Sequence, residues 1–406
     1  MAKIAILYPS DPAGNAPSGI DAVIRGILKS APPDLEYTLL GATTDPVSRP
    51  VGIEVAVKLG QREVRFLPLV AMDGGAGRGR VPVVLRYMWA LNRYAKKIGL
   101  SAFDILDFHR VEPVWLFRRD PRPKNVIVHQ DMSIIRDKDC DIGWRHAPWL
   151  YELIEHALFS RVDHIFSVRQ SAVLRYQKIY PDLSDRFSFI PTWVDASTFY
   201  PPIDSDDRSL SRAEFREALG LTDPKTRILT YVGRLDKQKD PLFLLNGFHE
   251  ANSRLRNLHL VIIGDGVLRQ NAETVCKTMN MREHVSFLGV QSAPQIATAL
   301  RGSHLFFLAS AYEGMPVAVL EALATGLPVV STNVGEIPQF VHDGVNGQII
   351  PIRTPSAAAD AICAAMGQLD SITGESCTAS VAEYQPEKVL HLLFDIHRRQ
   401  AARGKE

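Results

Sequence analysis

The chain reads as an α/β protein built from two Rossmann-like domains with parallel sheets, and three observations lead there. Short runs rich in Val, Ile, Leu and Phe recur along the sequence, separated by longer segments whose apolar residues fall three and four apart. That alternation is the signature of buried parallel strands joined by helices. A length of 406 residues suits two domains of about 200 residues each. Finally, Pro201-Pro202 and the polar stretch Asp204-Ser205-Asp206-Asp207-Arg208-Ser209 interrupt the pattern, which then starts afresh. The reading is a domain over 1–198, a linker near 201–209, and a second domain over 199–385 that begins with it.

In the first domain the apolar runs place strands near 3–8, 36–41, 63–68, 103–108, 125–130, 163–168 and 186–191. Helical spacing covers 19–30, 82–98, 147–160 and 169–179. In the second, strands fall near 227–232, 258–263, 284–288, 304–308, 328–331 and 347–350. Its helices fall near 241–254, 266–279, 293–301, 315–325 and 355–368. Val389, Leu390, Leu393 and Ile396 recur at helical spacing, so 386–406 reads as a terminal helix. Two such domains leave a cleft at the carboxyl ends of their strands, where open α/β sheets bind ligands.

Composition excludes several classes. Charged residues make up 22% and apolar ones 46%, as in ordinary globular proteins and unlike disordered or collagen-like chains. Cys140, Cys276, Cys363 and Cys377 show neither CxxC nor Cys/His ligand spacing, so neither a disulfide framework nor a metal site is expected. No apolar run reaches the ~20 residues that span a bilayer, and Met1-Ala2-Lys3 leads straight into Ile4-Ala5-Ile6-Leu7-Tyr8 instead of a signal peptide. A cytoplasmic location is expected. The net charge of +1 splits too evenly between the halves for a nucleic-acid-binding surface.

Three strand-to-helix turns of the second domain carry polar chemistry. After Ile228 to Val232 come Gly233-Arg234-Leu235-Asp236-Lys237-Gln238-Lys239-Asp240-Pro241. Gly233 permits close backbone approach, Arg234 is a guanidinium fork, Lys239 a point charge, and Pro241 opens the helix with free amides. This is either a solvated turn or a phosphate cradle. The turn Gly264-Asp265-Gly266 carries little specificity alone. The richest segment runs from Ser310 through Glu313-Gly314-Met315-Pro316-Val317 to Glu321 and Gly326-Leu327-Pro328-Val329-Val330. A carboxylate on the helix body can hold a ribose diol, and amides at the helix start can hold a pyrophosphate or sugar hydroxyls. On spacing alone, two glutamates eight apart are usually plain surface residues.

In sequence, these turns resemble those of the retaining GT-B glycosyltransferases, family 4: a GRL-x-x-x-K-like loop, a GDG turn, the E-x7-E pair within EG-x-P and LEA-x-A-x-G-x-P-V-V, then Gly335-Glu336-Ile337-Pro338 and Asp343-Gly344-Val345-Asn346-Gly347. The likeness spans most of 228–350. It implies a GT-B fold and a sugar nucleotide donor linked to UDP, GDP or ADP, with no further cofactor and no metal. Arg234 and Lys239 would then hold the diphosphate, with Gly233 beside it, and Glu321 the ribose. Glu313 and the backbone of Gly314, Met315, Pro316 and Val317 would hold the transferred sugar, with Gly264, Asp265 and Gly266 bordering the nucleotide. Met315 stands where many members carry Phe. In GT-B enzymes a terminal helix such as 386–406 packs back on the first domain.

The first domain supplies less. Its first turn, Pro9 to Gly19, contains no GxGxxG, which counts against a nicotinamide dehydrogenase. The family's Gly-Gly pair there is matched by Ser18-Gly19, so Gly19 carries over as donor-binding. His129 ends the strand Asn125 to Val128. By composition it is a structural hydrogen bonder; the resemblance places the catalytic-site histidine at this terminus, orienting the sugar and its developing charge. His109 and Arg110 end the preceding strand as an acceptor-pocket candidate. Phe189-Ile190-Pro191-Thr192-Trp193-Val194-Asp195 resembles the family's crossing between domains. Residues 86–97 mix aromatics and four cations at helical spacing, either packed on the sheet with a solvated basic face or docked on the cytoplasmic face of a membrane, where a lipid-linked acceptor would lie. Retaining transfer of a sugar to a hydroxyl acceptor, in polysaccharide or glycolipid assembly, is the function implied. A GT-B phosphorylase, a nucleotide-sugar epimerase or a non-catalytic nucleotide-sugar-binding subunit are the alternatives.

Overall fold

The computed structural model describes residues 1–14, 19–72, 83–97, 102–129 and 146–403. Cys140 and Ser18 lie outside the described residues. The chain forms two compact units, one from residues up to Pro191 together with Pro386 onwards, the other from Thr192 to Gln385.

The first unit holds an eight-stranded sheet. Its strands are β1 (Ala2–Leu7), β2 (Leu35–Thr43), β3 (Val55–Leu59), β4 (Arg62–Ala71), β5 (Ile105–Phe108), β6 (Lys124–Val128), β7 (His164–Ser167) and β8 (Phe187–Phe189). The spatial order is β3-β4-β2-β1-β5-β6-β7-β8. All pairings are parallel except β3 with β4, a hairpin whose turn places Gly60 at φ 63°. Sequence reading missed β3, because alternate burial over only five residues leaves no continuous apolar run. The helix Val83–Lys97 buries Tyr87 and Leu91 completely, and the Tyr87 hydroxyl donates to the Leu40 carbonyl at 2.6 Å. Leu85 and Trp89 of the same helix are exposed.

The terminal helix His391–Arg403 packs on this sheet through polar contacts. Tyr37 and His397 meet at 2.7 Å, Asn125 and Gln400 exchange bonds of 2.9 and 2.7 Å, and Arg398 grips Asp34. Beneath it Asp107 is fully buried with neither carboxylate oxygen hydrogen-bonded, and burial pushes its carboxyl up to about 8.

The second unit holds a six-stranded, wholly parallel sheet of β9 (Arg227–Val232), β10 (Leu258–Ile263), β11 (Val285–Gly289), β12 (Leu305–Leu308), β13 (Val329–Thr332) and β14 (Gly347–Ile350). The order β11-β10-β9-β12-β13-β14 is the doubly wound arrangement expected of a Rossmann-like domain. Every residue of β10 and β12 is buried, as helices on both faces require. Phe306 and Phe307 of β12 are inaccessible to solvent, each burial contributing roughly 2–3 kcal/mol.

The expected linker at 201–209 is instead the start of a helix, Ser205–Ala218. Asp204 caps it by accepting from the amides of Asp206 and Asp207, and those two acidic residues complement the helix dipole. The polarity that reads as a linker is that of a helix N-terminus.

Candidate active site

In the second sheet β9 and β12 lie side by side although two βα units separate them in sequence. The chain therefore leaves them in opposite directions, and the loops from their carboxyl ends flank the switch point where such sheets bind ligands. Those loops are 233–240 and 309–316, two of the three turns singled out by sequence.

The structure joins them through a buried ion pair. Lys239 Nζ lies 2.5 Å from Glu313 Oε1, with the two side chains 14% and 7% exposed. Ser310 Oγ donates to the same oxygen at 2.6 Å, and Gln238 Nε2 donates to Oε2 at 3.3 Å. The backbone reinforces this, since the Ala311 amide donates to the Gln238 carbonyl at 2.8 Å. Arg234 is held by Asp236 at 2.6 Å and by Gln238 Oε1 at 3.0 Å, with its side chain nearly half exposed. Glu313 uses one oxygen on Lys239 and Ser310 together, while Lys239 and Arg234 carry more N–H groups than these partners use. Two fixed cations with donors to spare suit an anion bearing several oxygens.

Asp240 closes the first loop at φ 42°, a left-handed backbone, while its side chain caps the helix Pro241–Leu255 at the Phe243 amide and pairs with Arg353. Beyond the second loop, the helix Val317–Ala324 starts at Pro316 with no side-chain cap, so its first amides lack a side-chain acceptor. Met315 is buried; its sulfur accepts from the Thr192 amide at 3.2 Å and its carbonyl from the Thr192 hydroxyl at 3.3 Å. The Gly314 carbonyl accepts from the Glu336 amide at 3.0 Å, and a Cβ on Gly335 would come within 2.1 Å of it. Glu321 stands on the helix body, where burial first and Asp195 second push its carboxyl up to about 7.

The Gly264-Asp265-Gly266 turn is positioned for a different physical reason. Gly264 sits at φ 133°, and a Cβ there would lie 1.9 Å from the Gly233 carbonyl; one on Gly266 would lie 2.4 Å from that of Leu235. The Leu235 and Leu268 amides bond across the same contact at 3.0 and 2.8 Å. These glycines let the loops after β9 and β10 touch backbone to backbone, which fixes the loop carrying Arg234 and Lys239. Asp265 is exposed.

In the first unit, the switch point lies between β1 and β5. Gly19 opens the helix Gly19–Ser30, and a Cβ there would meet nothing within 4 Å, so the fold itself does not demand glycine. His129 follows β6 and is half-buried; loss of hydration, aided by Arg110, lowers its imidazole to about 3. His109, after β5, is buried and held well below its usual range by the same loss of hydration and by His129. His109 Nδ1 lies 3.1 Å from His129 Nε2. Arg110 forms a two-point pair with Glu112 at 2.6 and 3.1 Å.

The structure thus brings Arg234, Lys239 and Glu313 into one polar cluster, leaves Glu321 on the adjoining helix, and places Gly19 and His129 in the other unit. Sequence reading missed Ser310, Gln238 and Asp236, which hold the cluster together. Their signal was slight, since short polar residues in loops are unremarkable until a fold gives them partners. Among the described residues no three side chains group as metal ligands, and no helix is long and apolar enough to cross a membrane.

Residues 211–368 match the family model described as glycosyl transferases group 1. Among curated proteins the chain is similar to the alpha-D-kanosaminyltransferase of Streptomyces kanamyceticus, 32% identical over 37% of this chain and 39% of that one. It is similar to the UDP-Gal:alpha-D-GlcNAc-diphosphoundecaprenol alpha-1,3-galactosyltransferase of Escherichia coli, 32% identical over 41% and 42%. Matching runs nearly end to end, at 24% identity over 93% and 88%, with the D-inositol 3-phosphate glycosyltransferase of Corynebacterium urealyticum. The first two alignments thus span less than half of those relatives. Among solved structures, the sucrose-phosphate synthase of Thermosynechococcus elongatus superposes with a TM-score of 0.77 at 18% identity over 99% of this chain and 100% of that one. HepE of Anabaena in complex with UDP-glucose superposes with a TM-score of 0.73 at 14% identity over 98% and 100%. These likenesses carry the fold.

Proposed function

We propose that the chain is a GT-B glycosyltransferase, since residues 211–368 match the group 1 family model and the fold is that of the solved neighbours, and that it moves a sugar from a nucleoside diphosphate to a hydroxyl acceptor with retention of configuration. The observation that carries the proposal is the Lys239–Glu313 pair, with Arg234 beside it, spanning the two loops of the switch point. The bond from the anomeric carbon to the diphosphate oxygen breaks, and its electron pair leaves on the phosphate. Lys239, Arg234 and the first amides of the Val317–Ala324 helix offset that growing negative charge. The acceptor oxygen bonds to the same carbon from the face the phosphate leaves, and its proton passes to the departing phosphate. Positive side chains acting there make a metal-free reaction the consistent reading.

Glu313 is a positioning carboxylate in this scheme. One oxygen is occupied by Lys239 and Ser310, so the residue is built to align the cation and the sugar's hydroxyls, and it is a poor candidate for a covalent nucleophile. Glu321 receives the ribose diol, Gly19 and Gly233 allow close approach to the phosphates, and the backbone of Gly314 to Val317 faces the sugar. His129 gives the sugar a hydrogen bond. The Gly264 to Gly266 turn borders the nucleotide while bracing the cationic loop.

A UDP-, GDP- or ADP-linked donor fits this site, and an acceptor carried on a lipid is consistent with the relative acting on a diphosphoundecaprenol-linked sugar. For the membrane contact, we point to exposed Leu85 and Trp89, with Arg93 stacked 5.6 Å from the Trp89 ring, and to exposed Trp115 under Arg118 at 4.4 Å. These side chains support the part of the proposal that puts the enzyme in the cytoplasm, touching the inner leaflet. The test is incubation with UDP-, GDP- and ADP-sugars and a panel of hydroxyl acceptors in chelator, with the product's anomeric configuration read by proton NMR. A product with the donor's configuration supports the proposal. An inverted product, or transfer that stops when chelator is added, overturns the mechanism.

A further inference from the structure

The pair His109–His129 is held in a way that fixes which nitrogen of His129 carries its proton. His109 is 2% exposed, and its Nε2 is buried without a hydrogen-bond partner. Its Nδ1 meets His129 Nε2 at 3.1 Å. The ring planes are inclined by only 18° and the centroids stand 5.3 Å apart, farther than the bonded nitrogens by about one ring radius on each side. The rings therefore meet edge to edge, with the bond near both planes, where an imidazole's N–H and lone pair point.

Neither ring is suited to carry a charge. His109 is almost wholly shielded from water, and the charge that bears on His129 is the Arg110 guanidinium, which disfavours a second cation and is engaged by Glu112. Each neutral imidazole has one N–H and one lone pair, so a single hydrogen lies between them. Were His109 protonated at Nε2, a buried N–H would be left without an acceptor, the rarer and costlier kind of orphan. Protonated at Nδ1, it leaves only a lone pair unmet. His109 then donates to His129 Nε2, and His129 must hold its own hydrogen on Nδ1, an atom with no hydrogen-bond partner among the described residues.

We propose that His109 is a positioning residue that locks His129 in the Nδ1-protonated tautomer, so that His129 meets its substrate as a hydrogen-bond donor and cannot serve as a base. This assignment of His129's partner rests on the transferase reading; the tautomer does not. With His129 Nε2 engaged, the acceptor's proton has no route to that ring, which agrees with its passing to the leaving phosphate. Tyr8, whose ring meets His109 edge-on with centroids 6.2 Å apart, completes the packing that holds the His109 plane.

The tautomer is read directly on the full chain labelled with nitrogen-15 histidine, from the proton–nitrogen couplings of the ring, with the His129 signals assigned by their loss in His129→Gln. The expected spectrum has His129 protonated at Nδ1 and bare at Nε2. A His129 protonated at Nε2 in the unaltered chain overturns the proposal without any variant. His109→Leu should release the preference and lower turnover at saturating donor by about tenfold or more while leaving nucleoside diphosphate affinity within about twofold. His109→Asn, whose amide can reach the position of Nδ1, should restore both the tautomer and most of the turnover. A His109→Leu chain that keeps the Nδ1 tautomer and full turnover refutes the positioning role. An Nδ1-protonated His129 in a chain that binds no nucleoside diphosphate supports the lock and overturns the transferase reading instead.

Discussion

Replacing Lys239 with Met keeps most of the side chain's stem and removes its charge, leaving Glu313 in a site 7% exposed with Ser310 and Gln238 as remaining partners. At 2.5 Å the attraction is about 7 kcal/mol in an effective dielectric of ~20, and the cost of dehydrating both ions offsets much of it. Breaking such a pair from one side costs about 3–5 kcal/mol, and the two surviving hydrogen bonds favour the lower value. For a unit of this size ~3 kcal/mol is a fall in Tm of roughly 6–12 °C. Glu313→Gln removes the charge that Lys239→Met strands, so the double variant should recover about 2 kcal/mol of the summed loss. Calorimetric melts of the four proteins close the cycle. A coupling below about 0.5 kcal/mol, with independent and small single effects, would refute the view that the pair organises the site. Because Lys239 is buried against Glu313, neutralising it should lower stability as well as turnover.

Glu321, with its carboxyl pushed up to about 7, should bind a ribose better when ionised, so nucleoside diphosphate affinity rises as pH climbs from 6 to 8 and then levels. Calorimetric titration of Glu321→Gln should show weaker and pH-independent binding; an unchanged pH profile in the variant would exclude Glu321. Asp107 has a folded pKa of about 8, raised above its unfolded value, so its stabilising contribution is complete at acid pH and is lost as pH rises towards 8. His397, lowered to about 3, acts oppositely but only below its unfolded value near 6.5. Between pH 6.5 and 8 the natural chain should therefore lose up to about 2 kcal/mol that Asp107→Asn does not, measured by urea melts. The glycines separate by role: Gly264→Ala should cost about 3 kcal/mol or more through collision with Gly233, whereas Gly19→Ala should leave Tm unchanged or slightly raised and weaken donor turnover. A Gly264→Ala protein that melts like the parent would show that the two loops do not touch.

The second unit was legible because its strands are buried on both faces and announce themselves as apolar runs, β10 and β12 most clearly. Gly233 and the prolines that open helices marked the turns, so the segments bearing Arg234, Lys239, Glu313 and Glu321 could be placed before any partner was known. The partners were not legible. Lys239 and Glu313 lie 74 positions apart, and nothing local to either says that β9 and β12 become neighbours. Gly264 and Gly266 looked like part of a ligand turn, while their immediate duty is the approach to Gly233 and Leu235. Ser205–Ala218 was hidden by its polarity, as only Phe215 of that helix is buried. His109 drew notice as a strand-end residue, but its bond to His129 depends on β5 and β6 pairing in register, Asp107 opposite Asn125.

Nucleoside diphosphate recognition at the switch point of the second unit is the claim on which the rest depends. The most direct test is a thermal melt of the purified chain with millimolar UDP, GDP, ADP or NAD⁺ in chelator, since a ligand at 100 times its Kd stabilises by about 2.7 kcal/mol. One nucleoside diphosphate should raise Tm by several degrees, and Glu321→Ala should abolish the rise. No rise with any diphosphate, or a rise with NAD⁺ alone, would contradict the account.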